Sequence, residues 1–175
     1  FCTTSSILSI SEPSIALSSF ISSITHPLCH NSTGNASCNA IGGTLPYTYT
    51  WTSTPPQNGS IATNIPSGNY TVYITDGNGC LASNTVSLVQ PSEIYTNAGA
   101  NDTICIGLQA TLTSSATGGV GNYYYVWQPV NVTNSGTLTI SPTSNSNYTV
   151  AAFDQNGCAG IPDTAKVIVY NLTAP

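Results

Sequence analysis

Charge is almost missing from this chain. Its 175 residues include six acids and a single base, Lys166, for a formal net charge of −5; arginine and methionine do not occur. A chain this poor in Lys and Arg cannot hold nucleic acid by neutralising phosphates. The same shortage excludes attraction to an anionic membrane surface. It also offers trypsin-like proteases little to cut. The apolar runs are too short for a membrane-spanning helix, so no membrane insertion of this segment is expected. Phe1-Cys2-Thr3-Thr4 lacks the basic and apolar regions of a signal peptide, and the chain reads as an internal piece whose targeting signals lie elsewhere. Helical periodicity is missing too.

Repetition is what the chain has. Cys2, Cys80 and Cys158 stand 78 residues apart. Asp76-Gly77-Asn78-Gly79-Cys80 returns as Asp154-Gln155-Asn156-Gly157-Cys158. After Cys2 and Cys80 the text aligns without a gap through Ser5/Ser83, Ser9/Ser87, Pro13/Pro91 and Ser14/Ser92. Cys29, Gly42-Gly43, Tyr47, Tyr49 and Trp51 reappear 76 residues on as Cys105, Gly118-Gly119, Tyr123, Tyr125 and Trp127. A two-residue insertion between Trp127 and Asn147 restores the offset of 78. A fixed period of this kind means tandem modules. The expected domains are 15–92 and 93–175, with 1–14 as the last strand of a preceding repeat.

Within each module the pattern is that of strands. Tyr70, Val72 and Ile74 alternate with polar or exposed positions before the Asp-Gly-Asn-Gly turn. Strands are also expected over Leu17–Ile24, Asn35–Ile41, Tyr47–Trp51 and Cys80–Val89. Short strands punctuated by Gly, Pro and Asn imply an all-β chain of tandem immunoglobulin-like antiparallel β-sandwiches, about seven strands each, strung as beads. Trp51 and Trp127 suit core plugs, and Tyr70 and Tyr148 suit tyrosine corners bonded to nearby backbone. Asp76, Gly79, Asp154 and Gly157 read as hairpin-turn residues; a calcium loop would need more carboxylates than the chain holds.

Pro27-Leu28-Cys29-His30, Gly42-Gly43-Thr44-Leu45-Pro46-Tyr47-Thr48-Tyr49-Thr50-Trp51, Gly68-Asn69-Tyr70-Thr71-Val72 and the Asp-Gly-Asn-Gly-Cys ending together resemble the SprB repeat of bacterial gliding-motility adhesins and related Bacteroidetes cell-surface proteins. The match covers about 15–92. Residues 93–175 are similar to the PKD-like or Ig-like modules that accompany such repeats, with Asn122 where the SprB pattern has Pro. The resemblance implies type IX export, a cell-surface location, and a non-catalytic role in adhesion or filament building. Partners would be neighbouring repeats of the same chain, lateral copies in a filament, or a glycan or surface ligand. A phage or virus fibre module is an alternative, since such fibres are also repetitive and poor in charge.

Six cysteines in a chain rich in Ser, Thr, Asn and Gly fit an oxidising, extracellular setting. Cys29 is expected to pair with Cys80, and Cys105 with Cys158, each bond contributing about 4 kcal/mol through chain entropy. Cys2 would then pair upstream of this segment, and Cys38 would be a small buried thiol, with a Cys2–Cys38 bridge the open alternative. His26, Cys29, His30 and Cys38 have zinc-ligand chemistry, but the repeat commits Cys29 to a disulfide, so no metal is expected. No cofactor is expected either. No nucleophile elbow or carboxylate pair is present, so no catalytic residue is assigned. Asn31, Asn35, Asn58, Asn69, Asn101, Asn131, Asn147 and Asn171 head Asn-x-Ser/Thr sequons. Under the bacterial resemblance, Asp102-Thr103-Ile104 and Asp163-Thr164-Ala165 are candidate O-glycosylation sites at Thr103 and Thr164.

Overall fold

Alternation in the sequence becomes one-sided burial in the structure. A computed structural model describes Pro13, residues 15–134 and residues 136–171. The last strand expected over 1–14 therefore lies almost wholly outside the described residues. The chain divides into two units, one of 1–26 and 33–89, the other of 27–32 and 90–175. The short segment Pro27–Ser32 thus belongs to the second unit although the chain places it inside the first, which the repeat pattern did not indicate.

Among the described residues the first unit has seven strands: β1 (Ser18–Thr25), β2 (Gly34–Ile41), β3 (Thr48–Trp51), β4 (Gln57–Asn58), β5 (Ile61–Ile65), β6 (Gly68–Thr75) and β7 (Leu81–Leu88). They form sheets of order β1-β2-β5 and β4-β3-β6-β7, all antiparallel. In β6, Val72 and Ile74 are buried while Tyr73 between them is exposed, because successive side chains of a strand point to opposite faces. Trp51 sits opposite Val72 across β3 and β6. Trp51, Val72, Ile74, Ala36, Ile65 and Leu88 are among the side chains that fill the core.

The second unit repeats this plan with breaks. Its strands are β8 (Tyr95–Asn97), β9 (Asp102–Cys105), β10 (Ala110–Thr113), β11 (Ser115–Thr117), β12 (Tyr124–Gln128), β13 (Val132–Asn134), β14 (Thr137–Ile140), β15 (Ser146–Phe153) and β16 (Asp163–Tyr170). Nine segments stand where about seven were expected, since two strand paths are each cut in two. Along the first path, β8 pairs with β11 and β9 then crosses to run parallel to β16. Gly99 makes that crossing, at φ +74°, and a Cβ there would strike the carbonyl of Thr113. The second path breaks at Ser114, giving β10 paired to β14 and β11 paired to β8. The remaining sheet has the order β13-β12-β15-β16-β9. Trp127, Val150, Val167 and Leu112 lie in its core.

Each unit has its own buried cluster. Both sandwiches are immunoglobulin-like, and the described residues contain no helix. The two tryptophans differ in one respect. The Trp51 indole N–H donates to the Gly59 carbonyl at 3.0 Å, whereas the buried Trp127 indole N–H has no acceptor among the described residues. Replacing either by Ala is expected to remove about 3–5 kcal/mol of stability. Replacement by Phe is expected to separate them: Trp51→Phe forfeits a hydrogen bond and Trp127→Phe removes an unpaired donor, so the former should lose about 1 kcal/mol more in urea unfolding.

Candidate functional site: the cysteine turns

Each unit carries one cysteine at the turn that leads into its last strand, and the turn is built around a buried aspartate. In the first unit the Asp76 carboxylate accepts three backbone N–H bonds: Oδ1 from Asn78 at 2.9 Å and Cys80 at 2.8 Å, Oδ2 from Thr44 at 2.9 Å. In the second, Asp154 accepts from Asn156 at 2.9 Å, Cys158 at 3.0 Å and Val120 at 3.0 Å. The exposures are 5 % and 0 %. These carboxylates are engaged by their own turns and by the loop after Gly42-Gly43 or Gly118-Gly119, so they are turned inward instead of presenting oxygens to a cation. The hydrogen bond from Thr44 is the main reason the Asp76 carboxyl titrates below its ordinary range, with desolvation opposing and the Cys80 and Asn78 donors adding.

Two glycines make the aspartate's approach possible. Gly43 has φ +62°, and a Cβ there would lie 2.5 Å from Asp76 Oδ2; Gly119 has φ +61° and meets Asp154 Oδ2 and Ile94 in the same way. The glycine before each accepts a tyrosine hydroxyl, Tyr47 to Gly42 at 2.5 Å and Tyr123 to Gly118. Gly-Gly, Tyr and Asp therefore form one structural device. The aligned positions were visible in the sequence; that they touch was not. Gly79 and Gly157 close the turns at positive φ, their N–H groups bonding Asp76 and Asp154 carbonyls.

The disulfide arrangement corrects the sequence expectation. Cys29 bonds to Cys158, with Cα atoms 5.6 Å apart, while Cys80 and Cys105 are free thiols. Neither Cys29–Cys80 nor Cys105–Cys158 forms. Strand direction is the reason. Cys80 lies beside Pro13, Ala16 and Leu17, where the chain enters β1, and Cys29 follows the far end of that eight-residue strand. Such a strand spans about 25 Å, against roughly 7 Å at most between bonded Cα atoms. Likewise Cys105 lies at the exit of the second unit, where the Ile106 N–H bonds the Tyr170 carbonyl at the end of β16. Cys158 precedes the start of that strand.

The Cys29 turn is held by several contacts. The Ser32 N–H donates to the Cys29 carbonyl at 3.2 Å, the Asn31 N–H to Gln90 Oε1 at 2.9 Å, and the Asn156 side-chain amide to the Leu28 carbonyl at 3.4 Å. Cys29, His30 and Asn31 line a hollow of about 290 Å³ with Pro91, Gly119 and Cys158 among its other walls. His30 Nδ1 lies 3.2 Å from the Gln90 amide, and His26 Nδ1 accepts the Val89 N–H. Among the described residues no three His, Cys, Asp or Glu side chains gather around a common point.

Cys38 is a fully buried free thiol, and burial pushes its pKa up. Cys2 lies outside the described residues. Tyr70 donates to the Pro66 carbonyl at 2.9 Å, and Tyr148 is buried in the core. Thr103 and Thr164 are both exposed and share a local form: the N–H of each is bonded by the preceding aspartate, at 2.7 and 2.8 Å. Asp163 titrates below its ordinary range, chiefly through the Ala98 N–H. Tyr73 and Tyr124 are exposed, Tyr124 stacked on Phe153, while Tyr47 and Tyr123 are tied into the Gly-Gly loops.

No protein-family profile and no curated protein matches the chain. Solved structures share its fold. The three N-terminal domains of the highly immunogenic outer capsid protein Hoc of bacteriophage RB49 match with a TM-score of 0.52 and 16% identity, over 88% of this chain and 59% of that one. The chain thus spans about three-fifths of the Hoc structure. The C-terminal 282-residue fragment of intimin matches at TM-score 0.44 and 14% identity, over 92% and 64%. Fibronectin(III)-like modules of Clostridium thermocellum CbhA match at 0.40 and 12%, over 90% and 96%. At such identities the likeness concerns the fold alone.

Asp76 and Asp163 generate a pH dependence. A carboxyl with a lowered folded-state pKa stabilises the fold above its unfolded pKa, about 3.9, and that contribution disappears as pH falls through the folded value. Stability is therefore expected to hold from pH 7 to 5 and decline below about pH 4. In Asp76→Asn the loss at pH 7 should be immediate and the acid decline shallower, with Asp163 supplying what remains. Urea midpoints measured across this range check it; parallel curves for the two proteins would refute the assignment.

Proposed function

We propose that this chain is a non-catalytic stalk segment of a repetitive extracellular adhesin or filament, of the SprB-repeat type followed by a PKD-like or Ig-like module. It is exported to a cell surface and extends or displays other parts of its parent protein. The Cys29–Cys158 bond is the observation that carries this reading. Tension applied at the chain ends enters through β1, reaches Cys29, crosses the sulfur bridge and leaves through Cys158 and β16. The 129-residue separation between these cysteines is bypassed by the bridge. β2 to β15 therefore lie off the load path. A disulfide placed in this way fits an oxidising exterior and a mechanical duty. The low content of charge and of protease-sensitive basic residues fits the same surroundings. Neighbouring repeats are its partners, and exposed Thr103 and Thr164 are the positions for O-linked sugar.

Single-molecule stretching tests the duty. With the bond intact, force on the two termini should leave the bridged residues unextended. Reductant should add about 45 nm of contour, at ~3.6 Å per residue. Equal extension before and after reduction would remove the mechanical reading. Robust retention on a glycan array would instead favour a binding module.

A further inference from the structure

Each cysteine of the bonded pair has an unbonded counterpart one repeat away. Cys80 occupies in the first unit the place of Cys158 in the second: both follow an Asp-x-Asn-Gly turn, and both donate their N–H to its aspartate. Cys105 occupies the place of Cys29. The carbonyl of each accepts an N–H three residues on, from Leu108 at 3.1 Å and from Ser32 at 3.2 Å. The residue two positions after each is left-handed, Gly107 at φ +88° and Asn31 at φ +58°. Two turns of one shape thus end in cysteine; one is bonded and the other is a free thiol.

The receiving surface is duplicated as well. In the second unit, Pro91, Ile94, Gly119, Cys158 and Ala159 help wall the hollow that holds the Cys29 turn. Their counterparts by repeat position are Pro13, Ala16, Gly43, Cys80 and Leu81. These residues, with Leu17, line a hollow of about 470 Å³ in the first unit. Cys80 at its rim is exposed, and so is Leu81, at 75 %. In the second unit the equivalent hollow is walled on one side by Cys29, His30 and Asn31. On the other side, Ile106 and Leu108 flank Cys105 and are 49 % and 58 % exposed, apolar surface suited to such a hollow.

We propose that Cys80 and Cys105 are the two open halves of a repeating rivet: the hollow beside Cys80 takes the cysteine turn of a like unit before it, and the Cys105 turn enters the hollow of a like unit after it. The result is a ladder of disulfides in which every unit is bonded to its neighbours. The occupant is a module of the same kind, and a second copy of this chain supplies both halves. The contact is head-to-tail, so it joins units in series. Formation needs a disulfide oxidant. The Cys80 thiolate attacks a small disulfide such as oxidised glutathione, giving a mixed disulfide and one released thiolate. The Cys105 thiolate then displaces the second glutathione thiolate, and the two-electron oxidation is balanced by reduction of the small disulfide to two thiols.

This inference deepens the stalk reading, but its test uses only the two thiols that the stretching experiment does not. Cys2→Ser is made in every chain to remove that competitor. One chain then carries Cys80→Ser and presents only the Cys105 turn; the other carries Cys105→Ser and presents only the Cys80 hollow. In a glutathione redox buffer, the mixed pair should form the covalent dimer about tenfold faster than either chain alone, the mark of docking ahead of exchange. Peptide mapping should find Cys80 joined to Cys105. Leu81→Asp in the Cys80 chain should abolish the advantage while leaving the reaction of Cys80 with a small aromatic disulfide unchanged. Equal rates in all three pairings would overturn the proposal. So would absence of a dimer while both thiols react with the small reagent.

Discussion

A bond that spans 129 residues joins Cys29 to Cys158 and leaves Cys80 and Cys105 as free thiols. It ties the segment between β1 and β2 to the turn before β16. In chain-entropy terms, closing a loop of this size restricts the unfolded ensemble by about 5 kcal/mol. The topological effect matters as much as the energy. Residues 30–157 lie between the bonded cysteines, so a covalent path through the sulfur bridge bypasses them. The same bond leaves Cys80 and Cys105 without disulfide partners among the described residues, so its placement decides which thiols remain for chemistry.

The turns that carry Cys80 and Cys158 are built on a second device. A buried carboxylate gathers three N–H groups from two loops, and a glycine without a side chain lets it come close. A buried charge is tolerated only when hydrogen bonds replace its lost hydration. Here backbone donors do so in both units, with no basic side chain involved. This fits a chain that holds one Lys and no Arg. Stability rests on two apolar cores and on turn chemistry.

Much of the fold was legible because strand alternation is a local signal. Val72, Tyr73 and Ile74 announce their faces directly, and the repeat doubles the information by showing Trp51 and Trp127 in register. The crossing at Gly99 and the break at Ser114 were not legible, since both depend on which sheet edge is free in three dimensions. The disulfide pairing failed for a deeper reason. A bond within each repeat and a bond from one repeat to the next have the same period, so spacing alone cannot separate them. Strand direction does, by putting Cys80 and Cys158 at the entry of each sandwich and the Cys29 and Cys105 turns after the first strand path.

Non-reducing peptide mapping of the oxidised chain, with free thiols alkylated before digestion, bears most directly on this account. Recovery of a peptide joining Cys29 to Cys158, together with alkylated Cys80 and Cys105, is the expected result. Peptides joining Cys29 to Cys80 and Cys105 to Cys158 would contradict it, along with the load path and the ladder built upon it.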